Sequence, residues 1–92
     1  THMPLAFHDD GERVGLSARP KIEMARGTRY LFNVGSVGQP RDQDPRACWT
    51  LYDSEANSLS FRRVAYDVDA TTARIKEAGL PEALGTRLLV GV

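Results

Sequence analysis

Side chains able to do chemistry gather in one stretch of this sequence, residues 33–47. It reads Asn33-Val34-Gly35-Ser36-Val37-Gly38-Gln39-Pro40-Arg41-Asp42-Gln43-Asp44-Pro45-Arg46-Ala47. Gly35 and Gly38 permit backbone conformations closed to other residues, and close approach of the main chain to a ligand. Ser36 offers a hydroxyl and Gln39 an amide. Arg41 and Arg46 offer forked guanidinium donors suited to phosphate or carboxylate. Asp42 and Asp44 could instead pair with those same arginines, as surface ions commonly do, giving a self-satisfied loop. The stretch is not a Walker A loop, because no Gly-Lys-Ser/Thr follows the glycines.

Two histidines and one cysteine complete the reactive inventory. His2 and His8 fall on the same side of an ideal strand, but an extended chain holds them about 20 Å apart. They can share an ion only if the strand breaks, and a metal site recruits several His, Asp or Glu ligands. Cys48 stands alone, so no intrachain disulfide can form and a reducing, cytoplasmic compartment is expected. It should pack as a small apolar side chain. A nucleophilic role would need a histidine partner, and both histidines are distant in sequence. The chain contains no triad order, paired-carboxylate signature or zinc-ligand spacing, so no catalytic residue is assigned.

The elements that must position these groups follow from pattern. Residues 3–16 read as a hairpin around the Asp-Gly turn signal at Asp10-Gly11. Residues 17–27 contain Pro20 and show no clean period, which suggests a loop with a short strand near Ile22. Residues 29–34 form a strand that delivers the chain into the long loop. A loop of that length is usually functional or disordered, and this one is rich in turn chemistry. After it, residues 47–52 alternate, with Ala47, Trp49 and Leu51 on one face and Cys48, Thr50 and Tyr52 on the other. A turn at 53–57 and a return strand over 59–68 make a second hairpin. Its phase slips at Arg62-Arg63, where a bulge is expected to restore the face.

The period then changes. Asp69 is the expected N-cap of a helix over 70–78, and Gly79 sits where a C′ glycine belongs. Pro81 suits the first turn of a second helix, on which Leu80, Leu84 and Leu88 form a packing stripe. Strands followed by helices suggest an α+β piece or the edge of a larger layered fold.

Ninety-two residues bound the chain to one domain or a piece of one, with a modest core. Twelve basic and twelve acidic residues balance, which argues against a dedicated nucleic-acid binder. No apolar run approaches the ~20 residues of a membrane span, and the first residues lack the charged and apolar regions of a signal peptide. The sequence opens Thr1-His2-Met3-Pro4 without an initiator methionine, which fits either a cloning scar or an upstream start.

The long motif from Asn33 to Asp42, continuing through Asp44-Pro45-Arg46-Ala47, resembles the C-terminal portion of bacterial calcineurin-like metallophosphoesterases. The resemblance is to the subgroup described as diadenosine-tetraphosphatase-like or serine/threonine-phosphatase-like. Val34 stands where that subgroup usually has proline. Phe61-Arg62-Arg63-Val64, Tyr66-Asp67, and Ala78-Gly79-Leu80-Pro81 ahead of Arg87-Leu88 recur in the family at similar spacing, so the likeness covers essentially the whole chain. Thr1-His2-Met3-Pro4 is similar to the second half and continuation of the family's Gly-His-Thr-His metal motif.

The resemblance implies an α/β fold, with residues 1–92 as the C-terminal part of a single four-layer α/β/β/α domain whose N-terminal portion lies off this chain. It implies a phosphoester hydrolase, a phosphatase or phosphodiesterase, acting on a small phosphorylated substrate. Two divalent metals, with manganese, iron and zinc left undistinguished, would bridge an attacking hydroxide. His2 would be one metal ligand, the others coming from motifs absent here. Asn33, Gly35, Ser36, Gln39 and Arg41 would flank the site: Asn33 and Ser36 supporting the His2 loop, Gln39 and Arg41 facing substrate. The partner implied is the N-terminal portion of the same enzyme, and the segment alone should be inactive. Homo-oligomer formation is left open. The alternative is a stand-alone, non-catalytic interaction domain with the loop as its binding surface.

Overall fold

Alternation of side chains along extended segments dominates the first two-thirds of the chain, and six strands result. In the computed structural model, which describes residues 2–92, these are β1 (Pro4–Asp9), β2 (Val14–Ser17), β3 (Lys21–Glu23), β4 (Arg29–Val34), β5 (Ala47–Asp53) and β6 (Ser58–Val64). Two helices follow, α1 (Val68–Glu77) and the single turn α2 (Ala83–Thr86), which runs into a 3-10 turn over Arg87–Leu89. The strands form two three-stranded antiparallel sheets, ordered β2-β1-β4 and β3-β6-β5.

The first hairpin forms as expected, but its connection is wider than a two-residue Asp-Gly turn. Asp10 Oδ1 accepts the amides of Glu12 and Arg13 at 2.9 and 2.8 Å, closing a longer loop on a carboxylate. The strand at Ile22 is present and pairs with Leu59 of β6. No bulge occurs at Arg62-Arg63. The β5–β6 register runs unbroken from Ala47↔Val64 to Asp53↔Ser58. The apparent phase slip arises because Val64, the last residue of β6, faces outward and is 51% exposed, while Tyr66 and Val68 lie beyond the strand.

That register places Leu59, Phe61 and Arg63 on one face with Tyr52, Thr50 and Cys48. In the first sheet, Ala6 and His8 share a face with Phe32 and Tyr30. The two faces meet through rings: Tyr30 stacks on Phe32 at 5.7 Å, and Phe32 meets Phe61 edge-on at 6.5 Å. The small buried core comprises Ala6, Ile22, Ala47, Cys48, Leu59 and Leu88. Away from it, Phe7, Val14, Leu16 and Leu31 share the opposite face of the first sheet, with Val14 77% and Leu31 69% exposed.

The N-cap of α1 is Asp67, not Asp69; its side chain accepts the Ala70 amide at 3.0 Å. Asp69 falls in the first turn, where a carboxylate still opposes the helix dipole. Gly79 takes the C′ position with φ +73°. The amides of Gly79 and Leu80 donate to Lys76 and Ile75 carbonyls at 3.0 and 3.2 Å, the paired bonds of a Schellman ending. The leucine stripe is not continuous: Leu88 is buried at 4%, whereas Leu80 is 51% exposed and Leu84 is also exposed. Only one α-turn separates Pro81 from the 3-10 segment, too short to align three leucines on one face. The α2 turn packs on α1 through Gly85, where a Cβ would lie 2.8 Å from Thr72 Cγ2.

Candidate functional site

The loop between β4 and β5 is built by hydrogen bonds from its own backbone. At its entrance Asn33 Oδ1 accepts the Gly35 amide at 3.1 Å. Gly35 has φ +79°, and a Cβ there would sit 2.8 Å from Cys48 Sγ, so both conformation and space demand glycine. Cys48 then donates its amide to the Ser36 carbonyl at 2.9 Å, lacing the loop to β5. Ser36 Oγ accepts the Gln39 amide at 2.9 Å, and Arg41 Nη2 donates to Gln39 Oε1 at 2.9 Å. Pro40 is fully buried beneath this turn. Gly38 has no comparable need: a Cβ there would meet nothing within 4 Å.

His2 closes onto this turn. Its Nδ1 lies 2.6 Å from the Gln39 carbonyl oxygen. A carbonyl can only accept, so Nδ1 carries a proton, and in the neutral ring that leaves the lone pair on Nε2. Among the described residues no protein group takes Nε2. Thr1, which the resemblance assigns to the same motif, lies outside the described residues.

The second half of the loop is an ion cluster. Arg46 binds Asp44 through two parallel contacts, Nε to Oδ1 at 3.1 Å and Nη2 to Oδ2 at 2.8 Å. This pairing holds the Asp44 carboxyl well below its ordinary range, to about 2, and raises Arg46; Asp44 is helped further by the Arg46 amide and the charge of Arg63. Arg41 does not pair with Asp42. Instead Arg63 of β6 crosses to Asp42, lies 3.7 Å from Asp44, and donates to the Arg46 carbonyl at 3.2 Å. Asp42 and Arg63 are 15% and 16% exposed, so this cross-link is mostly withdrawn from water. Burial pushes the neighbouring Cys48 thiol up, with Arg63 pulling the other way, so the thiol stays protonated and inert. Gly91 packs its backbone onto Asp44 and accepts the Gln43 amide at 2.8 Å, tying the C-terminal segment to the loop.

Of the residues singled out from sequence, His2, Asn33, Gly35, Ser36, Gln39 and Arg41 come together around one turn. His8 does not join them. Its ring lies over Gly15, where a Cβ would fall 2.5 Å from the imidazole, and beside Tyr30 at 6.5 Å. A cavity of about 660 Å³ between the sheets, bordered by His8, Arg19, Lys21 and Tyr30, contains none of the loop residues. Among the described residues, no three His, Cys, Asp or Glu side chains assemble into a metal-holding group.

Arg63 and Gly91 escaped sequence reasoning. The uninterrupted alternation of Leu59, Phe61 and Arg63 was the available signal for Arg63, and the expected bulge obscured it. Gly91 carries no sequence signal of its own, because its role depends on a contact across 47 positions.

No protein-family model matches the chain. An uncharacterized protein of Methanocaldococcus jannaschii, MJ0912, is 35% identical over 91 residues, covering 99% of this chain and 37% of that protein. The crystal structure of a metallophosphoesterase from Sphaerobacter thermophilus superposes with a TM-score of 0.89 at 41% identity, covering 99% of this chain and 39% of that one. The chain is similar to part of a metallophosphoesterase. It spans less than two-fifths of the length of either relative. The mixed α/β arrangement of strands with two C-terminal helices is shared with that phosphoesterase. Among the described residues, no helix is long and apolar enough to cross a membrane.

The donor chemistry fits a divalent metal at His2. A metal-ligating histidine characteristically donates its other ring N–H to a carbonyl or carboxylate, which fixes the tautomer and raises the basicity of the ligating nitrogen. His2 makes that bond.

Proposed function

We propose that this chain is the C-terminal part of one metallophosphoesterase domain and contributes His2 as a ligand to a dinuclear metal centre. The observation that carries the reading is the bond from His2 Nδ1 to the Gln39 carbonyl, in a chain with this fold. Bound divalent metals supply Lewis-acid activation of a phosphoester and of the attacking water. This chain's residues do the positioning. Gln39 orients His2; Ser36 and Asn33 shape the turn; Arg41, exposed at the rim, offers charge to a phosphate oxygen. The substrate class is a phosphomonoester, phosphodiester or nucleotide.

The N-terminal portion of the enzyme supplies the other ligands and covers the apolar faces left open here. The packing supports that reading. A radius of gyration of 16.2 Å compares with about 12 Å for a closed domain of this length.

The test is hydrolysis of chromogenic phosphomonoester and phosphodiester substrates by the complete, metal-loaded protein and its variants. His2→Ala should lower turnover about 100-fold or more through lost metal. Arg41→Ala should raise KM or depress kcat with metal content unchanged. Wild-type rates in both variants would refute the assignment of these residues.

A further inference from the structure

The turn that receives His2 is braced more heavily than a surface turn requires. Three separate contacts converge on Gln39: its amide donates to Ser36 Oγ at 2.9 Å, its side-chain oxygen accepts Arg41 Nη2 at 2.9 Å, and its carbonyl accepts His2 Nδ1 at 2.6 Å. The residue after it, Pro40, is fully buried and has no amide proton to lose. Ser36 is itself anchored, since its carbonyl takes the Cys48 amide at the start of β5. A chain of bonded groups therefore runs from the second sheet, through Ser36, to the Gln39 carbonyl and the imidazole. His2 lies before β1, outside any strand, so the sheet ladder does not orient its ring.

We propose that residues 36–41 form a tautomer-setting bracket, in which Ser36 and Gln39 are positioning residues that hold His2 in the Nδ1–H form before any metal arrives. This inference rests on the reading of His2 as a metal ligand, and adds where the energy for preparing that ligand comes from. A free imidazole samples both tautomers and many ring angles, and only one combination presents Nε2 usefully. The bracket removes that freedom in the metal-free protein. Its energetic origin is the burial of Pro40 and the pairing of Ser36 with β5, so a change at Ser36 should reach His2 without touching it.

The experiment is a two-bond ¹⁵N–¹H correlation spectrum of the complete protein, metal-free and labelled at histidine, at a pH where the imidazole is neutral. His2→Gln supplies the assignment. The bracket requires the Nδ1–H pattern for His2 in the wild type. Ser36→Ala should convert it to a tautomer mixture and weaken Mn²⁺ binding, followed by calorimetric titration, about tenfold, and Ser36→Thr should restore both. An Nε2–H pattern in the wild type overturns the proposal without any variant having to fold. So does Ser36→Ala with tautomer and Mn²⁺ affinity both unchanged. Mn²⁺ affinity unchanged in His2→Ala would instead remove the ligand assignment, and the wild-type tautomer would still report on the bracket itself.

Discussion

At the scale of single residues, the loop divides its charges into two kinds. The Asp44–Arg46 pair is local and partly open to solvent, with Arg46 55% exposed. Because Asp44 titrates at about 2 in the folded state, below the ordinary carboxylate value near 4, the folded protein binds that proton less readily than the unfolded chain. Its contribution is therefore full above about pH 4 and is lost as pH falls through about 2. Solvent screening keeps it to about 1 kcal/mol or less. Urea midpoints measured from pH 5 to pH 2 should fall more steeply for wild type than for Asp44→Asn; parallel profiles would show that the pair contributes nothing. The Arg63 cross-link is different, since both Asp42 and Arg63 are mostly buried. Arg63→Met keeps volume while leaving the Asp42 carboxylate uncompensated, since Asp44 keeps Arg46, and should cost about 2–4 kcal/mol. Adding Asp42→Asn should recover part of that loss, and an additive double variant would rule out the coupling.

At the scale of elements, the parts legible from sequence are those set by local rules. The hairpin over residues 3–16 follows from flanking alternation and a turn signal, and the Gly79 helix ending from a glycine placed after a run of helix formers. Gly79→Ala tests the latter in isolation. Its φ is +73° and a Cβ would meet nothing within 4 Å, so only backbone strain is added. The expected cost is about 1 kcal/mol, read as a shift in thermal midpoint; no shift would mean that the helix end relaxes freely. Elements that depend on partners were less legible. Arg62-Arg63 reads as a phase error only if Val64 is taken to face inward and the strand to continue to Val68, and both facing and strand length are set by pairing with β5, not by local pattern. Asp67 and Asp69 are both capable caps, and the choice falls to where β6 ends. The candidate site shows the same division. Its glycine, serine and glutamine were visible as turn chemistry, while the bond between His2 and Gln39 spans 37 positions and no spacing rule encodes it.

At the scale of the molecule, the sheets expose what a closed domain would cover. The first sheet presents Phe7, Val14, Leu16 and Leu31 on one face, and the second presents Trp49, Leu51 and Val64. Two separated apolar faces on an elongated body, 51 Å in its longest dimension, are the kind of surface that a partner covers. The long axis also explains why so few side chains are fully buried: three strands per sheet give each layer little interior. If the N-terminal portion of the enzyme is that partner, the isolated 92-residue chain should bind an apolar-surface dye, sediment as oligomers, and hydrolyse no phosphoester. Mixing it with a separately produced N-terminal portion should quench the dye signal, yield a one-to-one complex and restore hydrolysis. A monomeric chain that unfolds cooperatively without binding dye would instead show that these faces tolerate water. The shared-domain reading would then fail at the level of packing, independently of any assay for catalysis.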